Sequence, residues 1–255
     1  MVNYDFTGRT AIITGGAGGF GRAIAARLHA SGAAVALWDV DAAGVAAAAR
    51  VLGERALGLA VDTTDERAVT TAAREVLERF GRVDFLINNA GILGPVSNTW
   101  EHSTDDFRRV LDINLTGTFI CCRIVVPLLL ANTPDPKTGQ RGHIVNVSSI
   151  QAKEGMPRAA AYAASKAGIV SLTKTLGKEL AESGIPVNTV TPSIVATPMT
   201  RGITPEREKE IVARIPMRRF GTVEEIAAQI AWLCSEDCSF ATGAIFDLSG
   251  GRATY

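Results

Sequence analysis

Short runs of consecutive apolar residues, bounded by glycines or polar turns, alternate along most of this chain with longer runs rich in alanine and charge. Residues 10–14, 34–39, 56–61, 85–88, 143–147, 186–190 and 244–248 read as strands. They do not alternate apolar with polar, so they fit a sheet covered on both faces. Between them the period lengthens to that of a helix. Helices are predicted over about 19–29, closed by Ser31-Gly32, and over 41–52. Another starts with Asp65 in its first turn and ends near Phe80-Gly81, and a long one spans 159–183, stopped by Gly184. This order predicts an α/β protein: a single Rossmann-type doubly wound parallel sheet with helices on both faces. Residues 133–141, rich in proline, glycine and polar side chains, read as an exposed loop. Neither a domain linker nor a repeat of solenoid length stands out, so residues 1–255 read as one domain.

Composition narrows the function more than the fold. Hydrophobic residues make up 47% and charged residues 20%, ordinary for a soluble chain with a full core. Twenty-six basic residues balance 26 acidic ones. With net charge zero there is no basic field to hold nucleic acid or an anionic membrane. The first 14 residues lack the pattern of a signal peptide, and the apolar run at 124–131 is too short to span a bilayer. Cys121, Cys122, Cys234 and Cys238 match neither a CxxC motif nor a zinc spacing, and they read as buried filler in a reducing cytoplasm. His29, His102 and His143 are scattered and suggest no metal centre. The expectation is a cytoplasmic protein whose chemistry comes from hydroxyls, a lysine and a cofactor.

The cofactor signal lies where the first strand should turn into its helix: Thr14-Gly15-Gly16-Ala17-Gly18-Gly19-Phe20-Gly21. Glycines let the backbone approach a pyrophosphate, and the helix N-terminus offers it free N–H donors. A lone glycine pattern is weak; its place between strand and helix is what gives it weight. Asp39 closes the second strand, 18 residues beyond Gly21. A carboxylate there accepts hydrogen bonds from the adenosine ribose and repels a 2′-phosphate. Val40 follows it, and neither Ala17 nor Gly18 is basic, so NAD is favoured over NADP. The alternative, that Asp39 caps the next helix, fits Asp41 better.

The chemical signal is Ser149, then Tyr162 and Lys166 four residues apart, a spacing that puts phenol and ammonium on one helix face. An unperturbed tyrosine, with a pKa of about 10, is a poor base at neutral pH. Lowering it by roughly three units takes about 4 kcal/mol of preferential phenolate stabilisation. A lysine and an oxidised nicotinamide are charges of the right sign to supply it.

Taken together, these residues resemble the short-chain dehydrogenase/reductase family over nearly the whole chain. The T-G-x-x-x-G-x-G run (Thr14, Gly15, Gly19, Gly21) is similar to the family's cofactor motif, and Asn88-Asn89-Ala90-Gly91 to its N-N-A-G motif. Asp62-Thr63 resembles the adenine-contacting site. Pro192-Ser193-Ile194-Val195-Ala196-Thr197 resembles the P-G-x-[VI]-x-T segment that cradles the nicotinamide, with Ser193 in place of the usual glycine. The resemblance implies a cofactor site of Gly15, Gly18, Gly19, Phe20, Gly21, Asp39, Val40, Asp62, Thr63, Asn89, Ala90, Gly91, Tyr162, Lys166, Pro192, Val195 and Thr197. It also implies hydride transfer between a secondary alcohol and NAD. In that scheme Tyr162 is the general acid/base, and Lys166 lowers its pKa and holds the nicotinamide ribose. Ser149 fixes the substrate oxygen, and Asn114 sits at a helix kink that relays protons through water. The family spacing selects Ser149 over Ser148. Dimers or tetramers built on the long helices are implied as well, a homotetramer being the expectation here.

For the substrate the residues say less. The polar stretch 150–158 includes Gln151, suited to a hydroxyl-rich molecule, while Arg158 or Arg201 suits a carboxylate. Residues 197–214 read as a mobile lid. The ending Asp247 to Tyr255 resembles that of bacterial sugar and 2-keto-3-deoxy sugar-acid dehydrogenases. The leading expectation is oxidation of a sugar-derived secondary alcohol, such as the 4-hydroxyl of a deoxy-keto acid. The alternatives are a 3-oxoacyl thioester reductase and a non-catalytic NAD-binding sensor or scaffold.

Overall fold

Seven apolar segments lie side by side in one sheet: β1 (Thr10–Thr14), β2 (Ala34–Asp39), β3 (Ala56–Ala60), β4 (Phe85–Asn88), β5 (His143–Val147), β6 (Val187–Pro192) and β7 (Ile245–Leu248). Their order is β3-β2-β1-β4-β5-β6-β7, and every neighbouring pair is parallel. The chain starts mid-sheet, winds outward to β3, then returns to β4 and winds the other way. That reversal between β1 and β4 opens a crevice at the carboxyl ends of the strands, where doubly wound folds bind ligands. The computed structural model describes residues 4–196 and 204–253.

Successive side chains of a strand point to opposite faces, and the core divides accordingly. Ile13, Leu37 and Val145 face α1 (Gly19–Ala30), α2 (Ala42–Leu52) and α9 (Val223–Leu233) through Ile24, Leu28, Val45 and Ile230. Their neighbours Ile12, Trp38 and Ile144 face the other way. There they meet Val69 and Val76 of α3 (Glu66–Phe80) and Val125 and Leu129 of α5 (Gly117–Leu130). Both faces are thus sealed by helices, as the unbroken apolar strands require.

The periodicity bounds no helix over residues 104–130, although the family resemblance puts a helix kink at Asn114. The structure has α4 (Thr104–Leu111), a π-helical turn at Asp112–Thr116 and α5, continuous over Thr104–Leu130. By length and apolar composition this helix is sufficient to cross a membrane. Here its apolar side chains, among them Cys121, Val125 and Leu129, pack against the sheet. The second half of the helix, α5, is apolar on nearly all sides and carries no amphipathic period, so that half is not readable from its pattern. Further along, α7 (Ala160–Glu179) stops short of the predicted end and is followed by a 3-10 turn, Ala181–Ser183. Two more helices, α6 (Gln151–Glu154) and α8 (Pro205–Ala213), flank the crevice.

One fully buried carboxylate ties the lower edge of the sheet together. Asp84 accepts from Arg82 at 2.6 Å, Arg9 at 3.0 Å and the backbone N–H of Thr10 at 2.9 Å. Arg9 also reaches Asp135 in the 133–141 loop at 3.4 Å. Asp84→Ala strands two guanidinium groups and a buried N–H, so a loss of about 3 kcal/mol is expected. A urea midpoint equal to that of the native chain would refute it.

Candidate active site

The turn between β1 and α1 forms one wall of the crevice. Gly15 has φ +66°, and a Cβ there would stand 2.7 Å from the Asn89 amide nitrogen. A Cβ on Gly21 would fall on the Gly15 carbonyl oxygen. The glycines are therefore required by how closely the backbone folds on itself, and the tight turn leaves the first N–H groups of α1 open to a phosphate. Asn89 fixes the turn from the β4 side. Its Nδ2 donates to the carbonyls of Thr14 (2.9 Å) and Gly15 (3.2 Å), while Thr14 Oγ1 accepts from the N–H groups of Asn89 and Ala90, both at 2.9 Å.

Asp39 stands at the lip of the same wall. One carboxylate oxygen accepts from Ala17 N and the other from Asp41 N, each at 3.1 Å. Helix α2 is capped instead by Asp41, whose side chain accepts from Gly44 N at 2.9 Å. Asp39 is thus held in one orientation and is spare for a ligand.

Beyond these residues a cleft of about 1800 Å³ runs from Phe20, Asp39 and Val40 past Asp62 and Thr63 to the ends of β5 and α7. That exceeds the roughly 300–1,000 Å³ typical of a single small-ligand pocket, and so leaves room for a dinucleotide and a second molecule. Gly15, Gly18, Gly19, Asn89, Ala90, Gly91, Ser149, Gln151, Arg158, Tyr162, Lys166 and Val195 also line it. Three of the residues named from sequence do not. Gly21 and Pro192 lie behind the wall, where Gly21 permits the turn and the Pro192 carbonyl accepts from Ile150 N at 3.0 Å. Asn114 is also set back, for the reason below. Thr197 and Arg201 fall outside the described residues.

At the reaction end, the Ser149 side chain lies close enough to the Tyr162 hydroxyl to favour its phenolate form. Ser149 Oγ also accepts from Gln151 N at 3.2 Å, which leaves its own proton for the tyrosine. The neighbouring Ser148 is otherwise engaged, donating to the Lys166 carbonyl at 2.7 Å. Lys166 is buried; its Nζ donates to the Val147 carbonyl at 2.8 Å and lies 5.7 Å from the centre of the Tyr162 ring. Burial pulls its pKa down to about 8. Burial also pushes the Tyr162 hydroxyl above its usual range, opposed only by the Ser149 side chain. The sequence reading expected Lys166 to lower that pKa. In this arrangement desolvation outweighs it, because the ammonium serves the Val147 carbonyl rather than the phenol oxygen.

Asn114 sits in the π-helical turn, fully buried. Its Oδ1 accepts from Ile92 N at 2.8 Å, and its Nδ2 donates to Ile92 O and to Ser165 Oγ, both at 2.9 Å. The wider turn aims this amide between the N-N-A-G segment and α7, and such turns recur at functional sites.

Gln151 and Arg158 are also on the cleft wall. Arg158 has φ +69°, unusual for a side-chain-bearing residue. Its backbone is pinned, its carbonyl accepting from Ser97 N at 2.9 Å. Nearby carboxylates are already matched, Glu154 with Arg252 at 2.8 Å and Glu210 with Arg207 at 2.7 Å. Among the described residues no carboxylate pairs with Arg158. The sequence reading missed Arg108, Arg109 and Asp112 on this wall because the periodicity bounds no helix there. Nothing local in the sequence points to Arg252 either.

A family model described as enoyl-(acyl carrier protein) reductase matches residues 15–253. A crystal structure of a short-chain dehydrogenase/reductase (glucose/ribitol dehydrogenase) from Brucella melitensis superposes with a TM-score of 0.91 at 36% identity, covering 100% of both chains. The chain belongs to the short-chain dehydrogenase/reductase family. It is an oxidoreductase of that family. It is 44% identical over 250 residues to a 2-dehydro-3-deoxy-L-rhamnonate dehydrogenase (NAD(+)) of Sphingomonas sp. (strain SKA58), covering 98% of this chain and 97% of the relative. It is also similar to the 3-ketoacyl-(acyl-carrier-protein) reductase of Brucella melitensis complexed with NADH. In that case the TM-score is 0.91, the identity 34%, and the coverage 98% of this chain and 100% of the other.

Proposed function

We propose that this enzyme oxidises the secondary alcohol of a sugar-derived acid with NAD, a 2-keto-3-deoxy sugar acid oxidised at its 4-hydroxyl being the leading substrate class. One observation carries the substrate reading: the cleft that holds Ser149 and Tyr162 is also lined by an amide, Gln151, and by Arg158, which pairs with no carboxylate among the described residues. A hydroxyl-rich acid matches those groups, with an alcohol for Tyr162, hydroxyls for the amide and a carboxylate for the arginine. The similarity to the 2-dehydro-3-deoxy-L-rhamnonate dehydrogenase supports it.

The residues present fit the dinucleotide. The Gly15–Gly19 turn suits its pyrophosphate, and Asp39 suits a ribose with free hydroxyls. Asp62 and Thr63 suit the adenine, and Lys166 suits the second ribose. Bound there, NAD supplies the hydride acceptor. Tyr162 takes the proton of the substrate hydroxyl, and Ser149 orients that oxygen. Lys166 keeps positive charge beside the phenolate. Asn114 holds Ile92 and Ser165 in register and, by family resemblance, anchors a proton-relaying water. The positive charge of oxidised nicotinamide is the contribution that must offset the burial of Tyr162. Of the expected lid, residues 197–203 fall outside the described residues; α8, with Arg207, Glu210 and Ile211 on the cleft, is the part read here as its cover. The reading extends to a cytoplasmic homotetramer, supported by family resemblance and by Trp100 and Phe119, both exposed, on and beside the long helix.

A second reading, reduction of a 3-oxoacyl thioester, is favoured by the likeness to the reductase from Brucella melitensis. Absorbance of NADH separates the two. Purified enzyme is mixed with NAD and 2-keto-3-deoxy sugar acids, sugars and 3-hydroxyacyl thioesters, with NADP in parallel. The expected result is turnover of the sugar acids, with NAD preferred at least about tenfold because the Asp39 carboxylate would repel a 2′-phosphate. Turnover confined to the thioesters, or preference for NADP, would replace this reading with the reductase. NAD binding without turnover of any alcohol would leave a sensor.

A further inference from the structure

Helix α6 follows Ser149 almost directly and is four residues long. So short a helix does not hold its own orientation in water. Its two charged residues both reach to a segment far along the chain. Lys153 Nζ meets Asp247 Oδ2 at 3.1 Å, and Glu154 Oε2 meets Arg252 Nη2 at 2.8 Å, 94 and 98 residues away. These side chains are withdrawn from water, at 9% and 25% exposure for the first pair and 27% and 17% for the second. The surface pair Arg74–Glu78 is 71% and 70% exposed. Pairs shielded in this way are screened less and constrain geometry more than surface pairs do.

The far side of the clamp is itself braced. The other oxygen of Asp247 accepts from Ser249 N at 2.9 Å and from the Ser249 hydroxyl, and Ser249 Oγ accepts from Ala253 N at 3.0 Å. Just beyond α8, Met217 N donates to the Gly250 carbonyl at 3.1 Å. On the near side, Ala152 N donates to Ser149 O and Lys153 N to Ile150 O, both at 2.9 Å. With Gln151 N on Ser149 Oγ, α6 does not swing without carrying the serine hydroxyl with it.

We propose that residues 247–253 are a positioning element for Ser149: the Lys153–Asp247 and Glu154–Arg252 pairs hold α6 so that the serine hydroxyl stays aimed at Tyr162. Asp247 and Arg252 are positioning residues that act through α6. The same segment also touches the chain just beyond α8, at Met217. This inference rests on the roles given to Tyr162 and Ser149 above, and not on which alcohol is the substrate.

The test follows Tyr162 directly. Its ionisation in NAD-saturated enzyme is read from near-ultraviolet absorbance as the difference from Tyr162→Phe, which needs no substrate. Loss of the Ser149 contact in Arg252→Ala or Glu154→Ala should move the tyrosine pKa up by about one pH unit. In parallel, kcat should fall at least about tenfold, with NAD affinity held within about twofold. The exchanged double variant, Glu154→Arg with Arg252→Glu, should recover most of both. If Arg252→Ala fails to fold, Arg252→Lys is used for the same comparison. An unmoved tyrosine and unchanged kcat in the single variants would overturn the proposal. So would a rise in KM confined to acidic substrates and not rescued by the exchange, since that would make Arg252 a ligand for the substrate. A sugar acid that is not turned over defeats the substrate reading alone, because the titration is still readable.

Discussion

Tyr162→Phe is expected to lower kcat by about a thousandfold while leaving NAD affinity within a few-fold, as general acid/base removal typically costs 10²–10⁴. The phenyl ring keeps the shape of the cleft and its place above Lys166, 5.7 Å from the ammonium, so cofactor binding has no reason to fail. What is removed is the oxygen beside Ser149 that, on the proposed mechanism, accepts the alcohol proton. In the native enzyme burial holds that hydroxyl above its usual pKa, so the oxidation rate should climb with pH until NAD and Lys166 together bring the phenolate within range. The variant should show a flat, low rate in place of this rise. Stopped-flow measurement of NADH formation across pH 6 to 10 checks both. A loss below about tenfold, or a surviving pH-dependent rise, would mean that another group takes the proton.

The part of this site that was legible in the sequence is the part built from neighbours in the chain. Gly15 to Gly21 is one turn, Tyr162 and Lys166 are one helical turn apart, and Asp39 ends its own strand; local spacing fixes where each of them goes. The sheet was legible for a similar reason, since strands sealed on both faces are written as unbroken apolar runs. Three things were not. The long helix through Asn114 has only two turns of amphipathic pattern, in α4, before α5 becomes apolar on nearly all sides with no period to detect. The Glu154–Arg252 pair joins residues 98 apart, and no local pattern records such a meeting. The direction of the Tyr162 shift depends on how deeply the phenol is buried and on where the Lys166 ammonium points, which spacing alone does not encode.

Lys166→Met should stabilise the cofactor-free protein while nearly abolishing its activity. The ammonium is buried, and burial lowers its pKa from the ordinary 10.5 to about 8, so the charged form is tolerated at a cost. That gap of about 2.5 pH units corresponds to about 3 kcal/mol. The lost hydrogen bond to the Val147 carbonyl returns about 1 kcal/mol of it, leaving a net gain of about 2 kcal/mol. The sign with pH follows from proton counts. Below about 8 the lysine is protonated both folded and unfolded, and the full penalty applies. Between about 8 and 10.5 the unfolded chain keeps a proton that the folded chain has released, so native stability rises with pH. The advantage of the methionine should therefore be largest at pH 7 and fade across that window. Urea denaturation of both proteins at pH 7 and near pH 10 measures it. A variant less stable than the native chain at pH 7 would show that the Val147 carbonyl and its surroundings offset burial more than the folded arrangement suggests. The expected outcome is a lysine retained against stability, as strained functional groups are, since on the proposed mechanism its charge, together with that of oxidised NAD, favours the Tyr162 phenolate.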